Sequence, residues 1–151
     1  MDLDDLLPAA RSPADYLRVL DDPRLNDSGL AVLAGSPYSF VRLAVARHPR
    51  AAAPHLRRLL DGKYTDWDSN AVLLLVARHA GADRPVLLAV LDRVTELLRA
   101  GVRPYAAALT LAERPELRSE EIRPLGRLPG ASRRMRRGLK RALAARTPPS
   151  A

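Results

Sequence analysis

The chain has 151 residues with a formal net charge of +8, and its 47% hydrophobic content provides enough core to exclude wholesale disorder. The absence of cysteine excludes disulfides, thiolate nucleophiles, iron–sulfur clusters and zinc sites that use cysteine ligands. The longest apolar run, residues 71–77, is far shorter than the roughly 20 residues of a membrane-spanning helix, and the acidic start is unlike a signal peptide, so we expect a soluble cytoplasmic protein that does not contact membranes.

Apolar periodicity and helix-boundary residues predict an all-α chain. Ser12-Pro13-Ala14-Asp15 is a capping-box variant, Ser36-Pro37 opens a later helix, and glycines such as Gly101 lie in the gaps between periodic segments. Alternating runs of β-branched residues, typical of strands, are absent. The predicted helices lie near residues 2–9, 13–21, 28–34, 38–48, 53–61, 67–79, 84–99, 104–113, 119–127 and 132–146.

An internal repeat organises these helices. Val45-Ala46-Arg47-His48-Pro49 recurs 31 residues later as Val76-Ala77-Arg78-His79-Ala80, and a further 35 residues later as Leu111-Ala112-Glu113-Arg114-Pro115. A degenerate copy, Ala144-Ala145-Arg146-Thr147-Pro148, follows after another 33 residues. Apolar residues at matching offsets of 10 and 13 share one helix face, so each unit is interpreted as helix, break, helix.

These motifs resemble the leucine-rich repeat variant and the related HEAT-like repeats. The resemblance rests on Leu33-Ala34, on residues 41–49, and on Leu56 and Leu59; it is strongest over residues 30–62 and continues to residue 128. It implies a short α-solenoid of about three repeats with degenerate capping helices. Some proteins with the variant repeat also carry an iron–sulfur module, which a chain without cysteine cannot build.

We therefore predict a single α-solenoid domain whose charge changes sign along the chain. Residues 1–29, with three basic and seven acidic residues, form an acidic N-terminal cap of net charge −4. Residues 30–128 hold the repeats, residues 129–147 a basic C-terminal helix, and residues 148–151 a disordered tail. Residues 101–151 contain twelve basic and four acidic residues, so a charge of +8 is concentrated at the end of the chain.

Three histidines raise the question of a metal site. His48 and His79 occupy the same repeat position, but adjacent helices lie about 8–10 Å apart, too far for both to reach one zinc without a further ligand. We predict no metal and no cofactor. Both histidines are instead placed at helix C-termini, where a partly cationic imidazole suits the helix dipole.

Asp66-Trp67-Asp68 is the most unusual tripeptide in the chain. HEAT-like DNA glycosylases grip damaged DNA with Asp and Trp residues, but no motif of theirs matches this chain residue by residue. The structural interpretation makes Asp66 an N-cap, Asp68 a first-turn acid, and Trp67 an anchor against a neighbouring repeat. Since no nucleophile pair or glycine-rich phosphate loop occurs elsewhere, we predict that the protein is not an enzyme.

Two basic surfaces are the candidate binding sites. Six cations of the last helix fall within a helical arc of about 160°, opposite Met135 and Leu139, and favour a polyanion such as nucleic acid, with a solvated cap as the alternative. These six are Arg133, Arg134, Arg136, Arg137, Lys140 and Arg141. The second surface is an exposed ridge formed by the residues that follow the alanine of each repeat, Arg146 among them, together with nearby arginines. Its predicted contact residues are Arg47, Arg78, Arg57, Arg58 and Arg84.

The predicted function is a non-enzymatic interaction module that binds an acidic protein partner through a basic face. The alternative is a nucleic-acid-binding protein that uses phosphate contacts from the C-terminal helix. We expect a monomer or a weak oligomer, with head-to-tail pairing of the acidic start and the basic end as a further possibility.

Overall fold

Helices provide all the regular secondary structure of residues 2–146, the part of the chain that the computed structural model describes. The α-helices in this range are α1 (Leu3–Leu6), α2 (Pro13–Leu20), α3 (Asp27–Ala34), α4 (Ser39–Arg47), α5 (Ala53–Leu60), α6 (Asp66–Arg78), α7 (Arg84–Arg99), α8 (Tyr105–Glu113), α9 (Ser119–Ile122) and α10 (Arg133–Ala144). A 3₁₀ helix, Arg123–Arg127, follows α9 directly. The chain forms two compact units: unit 1 contains α1–α6 and ends at Ala82, and unit 2 contains α7–α10 and begins at Asp83.

The all-α prediction is confirmed, and each predicted helix has a counterpart in the structure. The first helix is shorter than predicted, because Pro8 disfavours helical geometry at the residue before it. The segment 119–127 changes from α to 3₁₀ geometry at Arg123, since Pro124 has no N–H for an α-helical hydrogen bond. The predicted disordered tail, residues 148–151, lies outside the described residues.

Of the two helix starts that the sequence placed at Ser-Pro pairs, one is confirmed and the other differs. The Ser12 N–H donates to the Asp15 carboxylate over 2.6 Å, and Pro13 occupies the first turn, as predicted. The helix after Ser36-Pro37 begins only at Ser39, because the Ser36 hydroxyl accepts the N–H of Tyr38 and forms a turn first.

The core of unit 1 is built around α4, which packs against α2, α3, α5 and α6. Val41, Val45 and Ala46 on α4 are almost completely buried. Their spacing of four and one residues places them on one face of the helix, and Ala46 adds little bulk, so neighbouring helices can approach closely. The repeat sequence around residues 41–46 is therefore the centre of this core.

Two histidines of unit 1 link successive helix C-termini. The Nε2–H of His48 donates to the carbonyl of Leu20, the last residue of α2, over 2.7 Å. In the same way His79 donates to the carbonyl of His48, the C-cap of α4, over 2.8 Å. Each ring accepts a backbone N–H at Nδ1, from Arg50 and from Gly81 respectively. Terminal helix carbonyls have no partner within their own helix, and these imidazoles supply the missing donors.

This geometry confirms that His48 and His79 lie at helix C-termini and corrects their expected charge. A ring nitrogen that accepts a backbone N–H carries no proton, so each imidazole is the neutral Nε2–H tautomer rather than a partial cation. His55 is buried and has the same arrangement, accepting from Ala52 N–H and donating to the carbonyl of Asp27.

We predict that His79→Ala destabilises the protein by about 1–3 kcal/mol, because in a partly buried place the Gly81 N–H loses its partner and the His48 carbonyl keeps only its hydrogen bond from the Ala51 N–H. Urea unfolding followed by circular dichroism measures the change. Arg78→Gln is the control, since Arg78 is the exposed neighbour and its loss should cost less than about 0.5 kcal/mol. Equal unfolding midpoints for the two variants would contradict the proposed role of the imidazole.

The core of unit 2 is built around α8, which packs against α7, α9 and α10. Ala107, Ala108, Leu111 and Ala112 on α8 are almost completely buried, and three of these four are alanines. Small side chains on a central helix allow its neighbours to pack close to the backbone. At the end of α7, Gly101 adopts a positive φ of 81°, which glycine alone adopts without strain, and this terminates the helix as the sequence indicated.

An ion-pair network joins the start of α7 to α9 within unit 2. The Arg84 guanidinium contacts both carboxylate oxygens of Glu121, at 3.0 and 3.2 Å, and donates to the carbonyl of Glu116. Arg118 also donates to Glu121 from its backbone and its side chain. The hydrogen bonds from Arg84, and then those from Arg118, lower the pKa of Glu121 to about 2.

The Glu121 network should make unit 2 sensitive to acid. Because the pKa of Glu121 is lowered in the folded state, the pair stabilises the fold above the ordinary value of 4.5 and loses this effect as pH falls towards 2. Melting temperatures measured across that range should fall less steeply for Glu121→Gln than for the native chain. Glu120→Gln is the matched control, because Glu120 is exposed and adjacent. Parallel curves for the native chain and Glu121→Gln would show that the network has no such effect.

Candidate functional site

The strongest candidate site is α10, whose two faces have opposite character. Met135 and Leu139 are buried in unit 2, as the helical arc predicted. The six cations of α10 are all exposed; they are Arg133, Arg134, Arg136, Arg137, Lys140 and Arg141. Burial of one narrow apolar face thus forces the cations to the surface, where they can contact a partner.

Three features of unit 2 fix the position of α10. Ser132 caps its first turn by accepting the Met135 N–H at 3.1 Å. The Tyr105 hydroxyl donates to the carbonyl of Gly130 and accepts the N–H of Ser132, which ties the start of α8 to the start of α10. At Gly138, an added Cβ would lie 2.7 Å from a methyl carbon of Leu109, so glycine permits the close approach of α10 to α8. The basic face is therefore held on a well-anchored helix.

A groove of about 490 Å³ runs between α10 and the 3₁₀ helix, and we call it the Leu139 groove. Its lining combines apolar groups with cationic side chains from both helices. Its lining residues are Arg123, Gly126, Arg127, Arg136, Leu139, Lys140, Leu143 and Ala144. The volume lies within the range of about 300–1,000 Å³ that is usual for ligand-binding clefts. No acidic residue of the described chain lines it.

A second groove, of about 590 Å³, lies on the α8 side of α10, and we call it the Leu109 groove. Four arginines dominate it, and Leu109 and Gly138 are its uncharged members. The lining residues are Leu109, Arg133, Arg134, Arg137, Gly138 and Arg141. The six predicted cations of α10 are therefore divided between two grooves, with Arg136 and Lys140 on one side and the other four on the opposite side.

The α10 cations are not neutralised within the described chain. No carboxylate of residues 2–146 forms an ion pair with any of the six, although seven ion pairs occur elsewhere in that range. Within residues 2–146, the Arg136 side chain donates one hydrogen bond, to the carbonyl of Ala131 at 3.1 Å. The like charges of these side chains repel one another, and an anionic partner would relieve that repulsion.

Sequence reasoning missed Arg123 and Arg127, which contribute half of the cations in the Leu139 groove. They lie on the 3₁₀ helix, and both are exposed. The sequence signal for these two arginines was the charge of +8 over residues 101–151. The cations of the predicted last helix account for only part of that basic content. Their convergence with Arg136 and Lys140 depends on the fold of unit 2.

The predicted ridge residues are placed in both units. Arg47 and Arg78 are exposed at the ends of α4 and α6, which the hydrogen bond between His79 and His48 brings together. Arg57 and Arg58 are exposed on α5 in the same unit. Arg84 belongs to unit 2, where its side chain is 41% exposed and paired with Glu121.

The structure corrects the expectation that Arg146 is an exposed ridge residue. Its guanidinium donates to three backbone carbonyls near the end of α8, those of Ala112, Arg114 and Leu117, with distances of 2.8 and 3.1 Å to the first two. The side chain is half-buried and caps α8, as the histidines cap helices in unit 1. Arg146 thus stabilises unit 2 and contributes no free charge to the basic face.

We predict that Arg146→Ala lowers the stability of unit 2 by about 2 kcal/mol, because hydrogen bonds from a charged donor to three carbonyls are lost together. Arg141→Ala removes the same charge from an exposed position on α10, and its cost should stay below about 0.5 kcal/mol. Thermal unfolding compares the two variants. If both lower the melting temperature equally, the capping role is wrong.

Asp66-Trp67-Asp68 differs from its predicted arrangement. Thr65, not Asp66, is the N-cap of α6, since its hydroxyl accepts the Asp68 N–H at 3.2 Å. Asp68 is in the first turn, as predicted. Trp67 is 84% exposed and therefore does not anchor a neighbouring repeat. Trp67 lies in the first turn of α6, next to the Thr65 cap, on a side of that turn that the rest of unit 1 does not cover.

Comparisons with known proteins leave the repeat resemblance a prediction. No protein-family profile matches the chain, and no curated protein or solved structure matches it. Within residues 2–146, no helix combines the length and the apolar character required to cross a bilayer. In the same range, no three histidine or acidic side chains gather in a way that could hold a metal ion.

Proposed function

We propose that the protein is a non-catalytic interaction module that binds an acidic protein segment in the Leu139 groove. The short α-solenoid of HEAT-like or variant leucine-rich repeats is part of this proposal, because such repeats present exposed helices to partners. One observation carries it: Leu139, Leu143 and Ala144 lie among four exposed cations, with no acidic residue in the lining.

The apolar residues favour a protein segment over a phosphate backbone. An amphipathic helix with carboxylates on one side and apolar residues three or four positions apart would pair with the cations and also cover Leu143 and Ala144, the more exposed apolar residues of the lining. A phosphate backbone would use the cations and leave the apolar surface in contact with water. Arginine can hold a carboxylate with two parallel hydrogen bonds, which adds directional specificity to the charge attraction.

The predicted ridge extends the same proposal to unit 1. Arg47 and Arg78 project at neighbouring helix ends, and Arg57 and Arg58 add charge on α5. A partner with several acidic segments could contact these exposed arginines with one segment and bind the Leu139 groove with another. Arg84 is already paired with Glu121, and its part in partner binding stays a prediction.

A non-catalytic role is supported by the state of the histidines. Both ring nitrogens of His48, His55 and His79 form hydrogen bonds with backbone groups. A general base needs a free nitrogen within reach of its substrate, and these imidazoles are used as helix caps instead.

Nucleic-acid binding is the second candidate, and the Leu109 groove is the observation that favours it. Four exposed arginines line this groove, together with Leu109 and Gly138, and a larger share of its lining is polar than in the Leu139 groove. Such a site suits phosphates, since arginine forms bidentate contacts with them.

The binding test uses a labelled helical peptide with glutamates on one face and leucines on the other, and a scrambled peptide of equal composition. Fluorescence anisotropy should show that Arg136→Glu/Lys140→Glu weakens binding by about tenfold or more, equivalent to about 1.4 kcal/mol. Arg99→Glu/Arg103→Glu is the charge-matched control, because both arginines are exposed in unit 2 outside the two grooves, and it should change affinity by less than about twofold. Leu143→Gln should weaken binding of the patterned peptide and leave the affinity for DNA unchanged.

Duplex DNA in a salt series separates the two candidates. If phosphates are the ligand, the logarithm of affinity falls linearly with the logarithm of salt concentration, and neutralising Arg133, Arg134, Arg136 and Arg137 makes the slope shallower. Strong DNA binding with no preference for the patterned peptide over the scrambled one would favour nucleic acid. No binding of either probe at low salt would refute both candidates.

A further inference from the structure

Trp67 is a large apolar side chain that the described chain leaves almost wholly in water. It is 84% exposed, whereas the other exposed large hydrophobic residues, such as Val32 at 56%, are covered to a greater extent. An indole in contact with a partner typically buries about 150–250 Å², and tryptophan is enriched at the centres of interfaces. Its exposure therefore marks a candidate contact point.

Two carboxylates flank this indole at the start of α6. Asp66 is exposed and Asp68 is half-buried, and neither forms an ion pair with any residue in the range 2–146. The Thr65 cap holds this first turn in a helical conformation. The tripeptide is thus a preorganised segment with one apolar anchor between two negative charges.

The Leu139 groove has the complementary chemistry. Leu143 and Ala144 provide apolar contact for an indole, and arginines can also stack on its face. The cations of both helices are positioned to meet carboxylates that accompany the indole. Arg123 and Arg127 come from one side of the groove, and Arg136 and Lys140 come from the other.

We propose that Asp66-Trp67-Asp68 of one copy docks in the Leu139 groove of a second copy. This inference rests on the proposed function, because it names a second copy of the chain as the acidic partner of that groove. Each copy carries one docking segment and one Leu139 groove, so the contact joins two different surfaces and is heterologous. Association therefore continues beyond a dimer unless a ring closes. A net charge of +8 on each copy opposes association, and a contact between two short elements is weak.

The chain contains a single tryptophan, so its fluorescence reports directly on the docking segment. At about 0.15 M salt the Debye length is about 8 Å, which screens repulsion between whole molecules. Raising the concentration of the full chain from micromolar to millimolar should shift the Trp67 emission to shorter wavelength and reduce its quenching by acrylamide. Sedimentation equilibrium should show an average mass above 16.5 kDa over the same range.

Two variants and their mixture test the geometry. Trp67→Ala has an intact groove but no docking segment, and Arg136→Glu/Lys140→Glu has an intact docking segment but no working groove. Each variant alone should therefore remain monomeric. Mixed together, they should form a one-to-one dimer that cannot grow, and the emission of the tryptophan in the groove variant should shift to shorter wavelength. Arg99→Glu/Arg103→Glu should associate like the native chain or more strongly, because it carries the same charge change outside the groove.

Circular dichroism of each variant verifies that it is folded before its mass is interpreted. Association that persists in Trp67→Ala would overturn the proposal, since another surface would then be responsible. A native chain that stays monomeric with unchanged emission at millimolar concentration would also overturn it. If the acidic peptide still binds the groove in that case, the proposed function survives without self-association. If the peptide fails as well, both proposals are refuted.

Discussion

The carbonyl groups at helix C-termini, which have no partner within their own helix, are the constraint on which this structure depends. His48 donates to the end of α2, His79 to the end of α4, and Arg146 to the end of α8. Each donor lies 28 to 34 residues after the residue whose carbonyl it caps, a separation close to the length of the repeat in the sequence. The recurring Val-Ala-Arg-His motif thus combines buried residues, an exposed arginine and a capping imidazole in consecutive positions.

Capping by side chains affects which charges are available to a partner. An imidazole that accepts one backbone N–H and donates to a carbonyl is neutral and occupied. Arg146 keeps its charge but directs it at three carbonyls. Within residues 2–146, the side chains of the α10 cations form one hydrogen bond to a carbonyl, from Arg136 to Ala131, so most of their donors are available to a partner. This division separates structural from surface arginines in a chain where arginine is abundant.

Close packing at α8 explains how a strongly cationic helix is retained on unit 2. Met135 and Leu139 supply the apolar contact, Gly138 permits the helices to approach, and Tyr105 fixes the start of α10. These contacts offset the repulsion among the exposed cations. The same approach leaves a groove on each side of the helix, and the Leu139 groove has the larger apolar share of lining while the Leu109 groove has four arginines.

The sequence alone determined the helices and the basic face of α10, because both follow from local periodicity: Met135 and Leu139 fall on one side of a helix whatever they pack against. Only the tertiary structure decided how charges from separate segments converge. Arg123 and Arg127 join α10 because Pro124 converts the end of α9 into a 3₁₀ helix that lies beside it. Burial is also non-local. Trp67, which the sequence predicted to be an anchor, is exposed because no segment within residues 2–146 covers that turn.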